Sequence, residues 1–218
     1  MIARSRRCAA EALGSAGLLA VVVGSGIMGE RLAGGSAALA LLANSLATAG
    51  GLYVLILALA PLSGAHFNPV VTLVECMAGE MPWRDFAPYL VAQLVGAIAG
   101  VWIAHAMFAM PILQASTQLR SGWSQWLGEF VATFGLVACV RLCGRRVPGT
   151  VPGAVAMYIG AAYWFTSSTS FANPAVTVAR SLSDTFAGIA PPGAPMFIVA
   201  QLAGALAGFL ACRWLLKD

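Results

Sequence analysis

Apolar residues run through this chain in long unbroken blocks, with no alternation typical of a half-buried strand or surface helix. Four stretches, Leu32–Val74, Phe86–Leu119, Val147–Ala179 and Thr185–Cys212, contain no Lys, Arg, Asp or Glu. A helix that crosses a bilayer needs about 20 apolar residues, so each block has room for one crossing and the longest for one and a half. Charges and turn residues divide the chain into six spans: Ala9–Met28, Ser36–Leu59, Phe86–Phe108, Ser124–Arg141, Pro152–Thr169 and Ala194–Leu215. Two segments remain, Pro61–Trp83 and Ser170–Pro192. Both are too apolar for loops in water, and both carry a helix-breaking Asn-Pro pair. Each is therefore read as a loop that dips into the membrane and returns as a half-length helix.

Composition sharpens the class. Of 218 residues, 60% are hydrophobic and 9% charged, against about 25% charged in soluble domains. Mean hydropathy is +0.84. A soluble enzyme, a nucleic-acid binder and a disordered chain are excluded, and an all-α integral membrane protein is expected. The basic residues set its orientation. With the N-terminus inside, Arg4, Arg6, Arg7, Arg84, Arg141, Arg145, Arg146, Arg213 and Lys217 are cytoplasmic, and only Arg31, Arg120 and Arg180 are external. An even number of spans then leaves both termini in the cytoplasm of a bacterial inner membrane. Arg4-Arg6-Arg7 before an apolar run has the outline of a secretory signal. Glu11 breaks the entry, and the run is long, so an uncleaved first span is expected. The five cysteines form no CxxC pair and are read as small packing residues, with no metal or cofactor.

The chain also repeats itself. Val91-Ala92-Gln93-Leu94-Val95-Gly96-Ala97-Ile98-Ala99-Gly100 recurs with two changes at 199–208; Glu11 and Gly17 match Glu129 and Gly135; Asn68-Pro69-Val70-Val71-Thr72 matches Asn173-Pro174-Ala175-Val176-Thr177. Two copies, roughly 8–110 and 123–216, each hold three spans and one re-entrant loop within a single domain, 1–218. Three is odd, so the second copy enters the membrane upside down. Inverted repeats of this kind place their functional site at the midplane, where broken helices meet. Proline suits the first position of a helix and Asn the position before it. Two half-helices starting at Pro69 and Pro174 would meet tip to tip, with Asn68 and Asn173 offering amide donors to a passing oxygen and the helix ends opposing cations.

These loops, Ser63-Gly64-Ala65-His66-Phe67-Asn68-Pro69-Val70-Val71-Thr72 and Phe171-Ala172-Asn173-Pro174-Ala175-Val176-Thr177, resemble the paired motifs of the aquaporin/aquaglyceroporin (major intrinsic protein) family. Glu11, Glu129, Gln93 and Gly96 also stand where that family has them. The resemblance implies six membrane helices with two re-entrant half-helices, a homotetramer in the lipid bilayer with one pore per subunit, and passive conduction of water or small neutral solutes. Two departures matter. Val70 takes an alanine position, and Val176 stands where the family usually has a constriction arginine. By the resemblance, Thr48, Ala161 and Ser170, matched by their spacing from the asparagines, complete that constriction, which predicts a wide, mildly polar opening. Val176 with Ala179-Arg180-Ser181-Leu182-Ser183-Asp184-Thr185-Phe186 resembles bacterial channels associated with arsenic resistance, implying neutral metalloid hydroxides such as arsenous acid among the solutes.

Arg180, one helical turn past Val176, has two readings: a replacement filter charge at the outer mouth, or an ion pair with Asp184 worth about 0.2–0.5 kcal/mol; the pair is preferred. The resemblance assigns Glu11 and Glu129 to structural support, accepting hydrogen bonds from re-entrant backbone, and His66 to the inner pore approach. His105 is expected at the interface, and Glu75 and Glu80 in solvent. Trp83, Trp123, Trp164 and Trp214 fall near span ends, as an aromatic belt requires. A proton-coupled secondary transporter shares the inverted-repeat architecture, but no titratable group adjoins either Asn-Pro. No catalytic constellation supports an enzyme.

Overall fold

The computed structural model describes residues 2–217. Eight α-helices follow in order: α1 (Arg4–Leu32), α2 (Ala37–Ser63), α3 (Pro69–Met77), α4 (Phe86–Met107), α5 (Trp123–Arg146), α6 (Val151–Phe165), α7 (Pro174–Arg180) and α8 (Ala194–Leu215). Five stretches (α1, α2, α4, α5 and α8, the α4 and α8 stretches with a short flanking turn) are long and apolar enough to cross a membrane. α6, at 15 residues, spans only about 22 Å at 1.5 Å per residue. The helix expected to reach Thr169 stops at Phe165 because the chain turns inward there, with Thr169 and Ser170 in the left-handed region (φ 61° and 52°).

Two faces can be defined from the contacts. Arg4 and Arg7 pair with Asp85 at the start of α4, so α1 and α4 begin on one face and run together to the other. α5 returns, α6 crosses again, and α8 brings the chain back to the starting face. α3 lies in the half of the molecule near that starting face, and α7 in the opposite half.

Close helix contact explains the repeated glycines. A Cβ on Gly96 or Gly100 of α4 would overlap the carbonyls of Ala12 and Ala16 on α1; one on Gly204 or Gly208 of α8 would meet those of Phe130 and Phe134 on α5. In lipid, where apolar side chains gain nothing by avoiding the solvent, such backbone proximity is what binds helices. Gly17 and Gly135 likewise admit Leu55 and the Tyr158 ring. Large apolar side chains such as Leu46, Leu57, Val95, Trp123, Met157 and Trp214 cover the outside.

Candidate functional site

The two half-helices touch at their N-terminal tips. Asn68 Oδ1 accepts from Val70 N at 3.1 Å, and its Nδ2 donates to the Ala172 carbonyl at 2.8 Å. Asn173 Oδ1 accepts from Ala175 N and Val176 N (2.9 and 3.2 Å), and its Nδ2 donates to the Phe67 carbonyl at 2.8 Å. Each asparagine thus caps its own helix and ties down the opposite loop. A primary amide has two hydrogens, so one remains on each Asn for the cavity that both line. Pro69, Val70, Pro174 and Ala175 stand behind them. Val70 is fully buried against Val74, Val137, Ala205 and Phe209, which is how the structure absorbs the larger residue.

A matched pair of carboxylates holds the loops. Glu11 accepts from Ser63 Oγ, His66 N, Phe67 N and Gln93 Nε2 at 2.6–3.0 Å. Glu129 accepts from Phe171 N, Ala172 N and Gln201 Nε2 at 2.6–2.8 Å. The same glutamines donate at 2.9 Å to Thr72 and Thr177 Oγ1, whose hydroxyls reach back to the Asn68 and Asn173 carbonyls. The loop residues one and three places before each Asn, namely Phe67 and Ala65, Ala172 and Ser170, all have φ between 47° and 52°. Left-handed backbone costs non-glycine residues about 1–2 kcal/mol each, which these bonds offset.

A cavity of about 430 Å³ runs beside the tips. From the face where α1 begins it is lined by Glu75, Glu80, Arg141 and Arg145, then by His66 and the asparagines, and last by Thr48, Tyr163, Ser170, Val176 and Arg180. Its flanks are apolar: Leu18, Val22, Leu52, Ile56, Val155 and Ile159. His66 Nδ1 lies 3.1 Å from Thr72 Oγ1. That hydroxyl already donates to Asn68, so the ring's Nδ1–H is the donor and Nε2 is left as an acceptor.

Several expectations need correcting. Ala161 does not line the cavity; it is on the exposed face of α6, and Tyr163 takes the place, with its hydroxyl 3.3 Å from Thr48 Oγ1. Counting back from Asn173 fails because Thr166–Ala172 is irregular. The stripe Val151, Val155, Ile159, Tyr163, repeating every four residues, was the available signal. Arg180 is not paired with Asp184. It is 2% exposed, donates through Nε to the Ala187 carbonyl, and lies 3.4 Å over the centroid of the Phe171 ring. Helical side chains lean toward the N-terminus, so the long Arg180 chain reaches back to the level of Val176. Asp184 instead accepts from Thr117 N and Oγ1, both at 2.8 Å, which holds its carboxyl below the usual range. This end of the cavity is therefore not lined by small side chains alone: Tyr163 and Arg180 form a ring with Thr48, Ser170 and Val176. His105 is fully buried rather than interfacial, bonded to the Ile112 carbonyl and Ser183 Oγ at 3.0 and 2.9 Å. Glu75 is not simply solvated, since Arg141 reaches it at 3.1 Å.

The Glu75–Arg141 pair joins α3 to α5 with both side chains largely covered. A double-mutant cycle is expected to give a coupling of about 1–2 kcal/mol, above the ~0.2–1 kcal/mol of exposed pairs, read from unfolding in detergent micelles. Additivity of the two single substitutions would remove the pair from the account.

The family model described as Major intrinsic protein matches residues 1–168. Aquaglyceroporin AqpS of Rhizobium meliloti (strain 1021) is 53% identical over 213 residues, covering 98% of this chain and 91% of that protein. The chain belongs to the major intrinsic protein family. It is a membrane channel protein and not an enzyme. Aquaporin NIP2-2 of Zea mays is 32% identical over 170 residues, 73% of this chain and 56% of that one. The X-ray structure of the aquaglyceroporin from Plasmodium falciparum superposes with a TM-score of 0.69 at 19% identity, covering 97% of this chain and 95% of that one, which places this major intrinsic protein in the same fold.

Proposed function

We propose that this major intrinsic protein conducts small neutral polyhydroxylated solutes passively, with glycerol-like polyols, neutral metalloid hydroxides such as arsenous acid, and water as its cargo. One observation carries the reading: a single cavity joins the starting face to the ring of Thr48, Tyr163, Ser170, Val176 and Arg180, passing both asparagine amides. An apolar wall with polar groups on one side suits a solute that trades some of its hydration for a few directed hydrogen bonds. Asn68 and Asn173 serve as midway donors, His66 Nε2 as an acceptor on the approach, and Arg180 as the charge that repels cations at the far mouth. Trivalent arsenic at neutral pH is an uncharged hydroxide of glycerol-like polarity, so it belongs to the same class. The excess of arginines on the starting face orients that face to the cytoplasm of a bacterial inner membrane. The conduit lies within one chain, so the homotetramer that completes this reading would carry four.

The test is osmotic shrinkage of proteoliposomes, followed by light scattering, against a panel of neutral osmolytes and trivalent arsenic. Accumulation driven by a proton gradient would instead establish a coupled transporter. Val176→Arg adds a second guanidinium to the ring and is expected to slow glycerol-sized solutes on the order of tenfold, about 1.4 kcal/mol of barrier. Parental flux in that variant would refute the constriction assigned here.

A further inference from the structure

We propose that the ring at the far end of the cavity is a binding site for a small oxyanion, which occupies the solute path and competes with neutral cargo. The proposal rests on the channel reading above for its consequence, and on the ring's chemistry for the site itself.

The ring is rich in donors that nothing satisfies. Arg180 uses Nε on the Ala187 carbonyl. Its terminal nitrogens have no protein partner among the described residues, and the side chain is almost wholly buried while lining the cavity. Ser170 Oγ, also on the lining, is buried without a hydrogen-bond partner. Tyr163 and Thr48 share one hydrogen bond between two hydroxyls, so one hydroxyl hydrogen is left over. Four side chains from α2, α6, α7 and the loop before α7 thus bring spare N–H and O–H groups to the lining of one cavity.

The charge has the matching sign. Arg120 stands over the same Phe171 ring at 5.3 Å and spends its donors on the Gly188, Ser168 and Phe186 carbonyls and on Thr169 Oγ1. Neither arginine has a carboxylate within ion-pair distance among the described residues. Asp184 is turned to Thr117, and Glu129, the nearest remaining acid, is committed to Phe171, Ala172 and Gln201. Counting Glu129 against the two guanidiniums leaves one net positive charge. The Phe171 ring under the Arg180 guanidinium and the Nε bond to Ala187 anchor the head group, whose terminal nitrogens form the fork that bidentate recognition of planar or tetrahedral oxyanions uses. An oxyanion supplies several acceptor oxygens, no donors and a negative charge, and so complements the ring in every respect. A cation meets the guanidinium charge there and no carboxylate.

The experiment uses the full chain in proteoliposomes, with glycerol flux measured in sodium nitrate or sodium sulfate against sodium chloride at equal ionic strength on both sides. Nitrate and sulfate are expected to slow flux relative to chloride. Arg180→Gln keeps a donor but loses the charge and the fork, and should raise the half-inhibiting concentration at least about tenfold. Ser170→Ala removes one neutral donor and should raise it about threefold, which keeps the test open if Arg180→Gln folds poorly. Equal flux in the three salts, or equal inhibition in parent and variants, overturns the oxyanion site and leaves the channel reading standing. Absence of any flux above empty liposomes overturns the channel reading. Calorimetric titration of nitrate into the solubilised chain then decides the site alone: heat in the parent that Arg180→Gln abolishes supports it, and no heat in the parent overturns it.

Discussion

Glu129→Gln is expected to destabilise the protein by about 3 kcal/mol or more and to abolish solute flux. The substitution is nearly isosteric, so the cause is hydrogen-bond polarity and not space. Glu129 offers two acceptor oxygens to three donors, the Phe171 and Ala172 amides and Gln201 Nε2. A glutamine keeps one acceptor oxygen and turns an NH2 group toward the other donors. At least one backbone N–H is then orphaned in a region that lipid surrounds and water does not reach. The strained φ values of Ser170 and Ala172 lose the bonds that offset them, and the loop that presents Asn173 relaxes. Thermal unfolding in micelles and proteoliposome flux measure the two halves of the prediction. The same change at Glu11 should behave alike, because His66, Phe67 and Gln93 stand in the same relation to it. A Glu129→Gln protein that melts within a degree or two of the parent and conducts normally would show that the carboxylate is dispensable.

Gly96→Ala is the second large effect, at about 3 kcal/mol. The added methyl meets the Ala12 backbone carbonyl, with its carbon and Cα close behind. A backbone segment cannot rotate aside as a side chain can, so α4 and α1 must move apart along their whole contact and forfeit dispersion on both sides. Gly50→Ala on α2 is the control, because a Cβ there has open space; it is expected to be neutral or to stabilise by up to about 1 kcal/mol. Comparable losses in both variants would point to intrinsic helix effects and dismiss the close approach.

Much of this was legible in the chain. Charge-free blocks marked the crossings, and the helices found are these with their ends shifted by a few residues. Asn-Pro marked the half-helices because cap and first-turn preferences are local properties of two adjacent residues. α6 reads too long in the sequence because Thr166–Thr169 carry no charge and no Gly or Pro to mark its end, while their turn inward is imposed by Glu129 and Arg120 from elsewhere in the chain.

The ring divides along the same line. Spacing from the asparagines points to Thr48 and Ser170, and the second Asn-Pro motif to Val176; all three line the cavity. The same spacing points to Ala161 where the structure has Tyr163, because residue counting assumes a regular path and the loop before Asn173 has none. The sequence offers Arg180 as half of an i,i+4 surface pair, which is what a solvated helix would form. Its actual surroundings are the Phe171 ring and the Ala187 carbonyl. His105 and Glu75 stand near span ends in the sequence, yet Ser183 and Arg141, far off along the chain, hydrogen-bond to them.

By itself, then, the amino-acid order determined where this protein crosses the membrane, where it breaks off halfway, and that it does so twice in opposite senses. Those are matters of burial and backbone preference, set within a turn or two of chain. Which side chains close the mouth was left to the folded molecule, because a long arginine or a tyrosine acts where its far end arrives, and that end is steered by neighbours that only the packed bundle supplies.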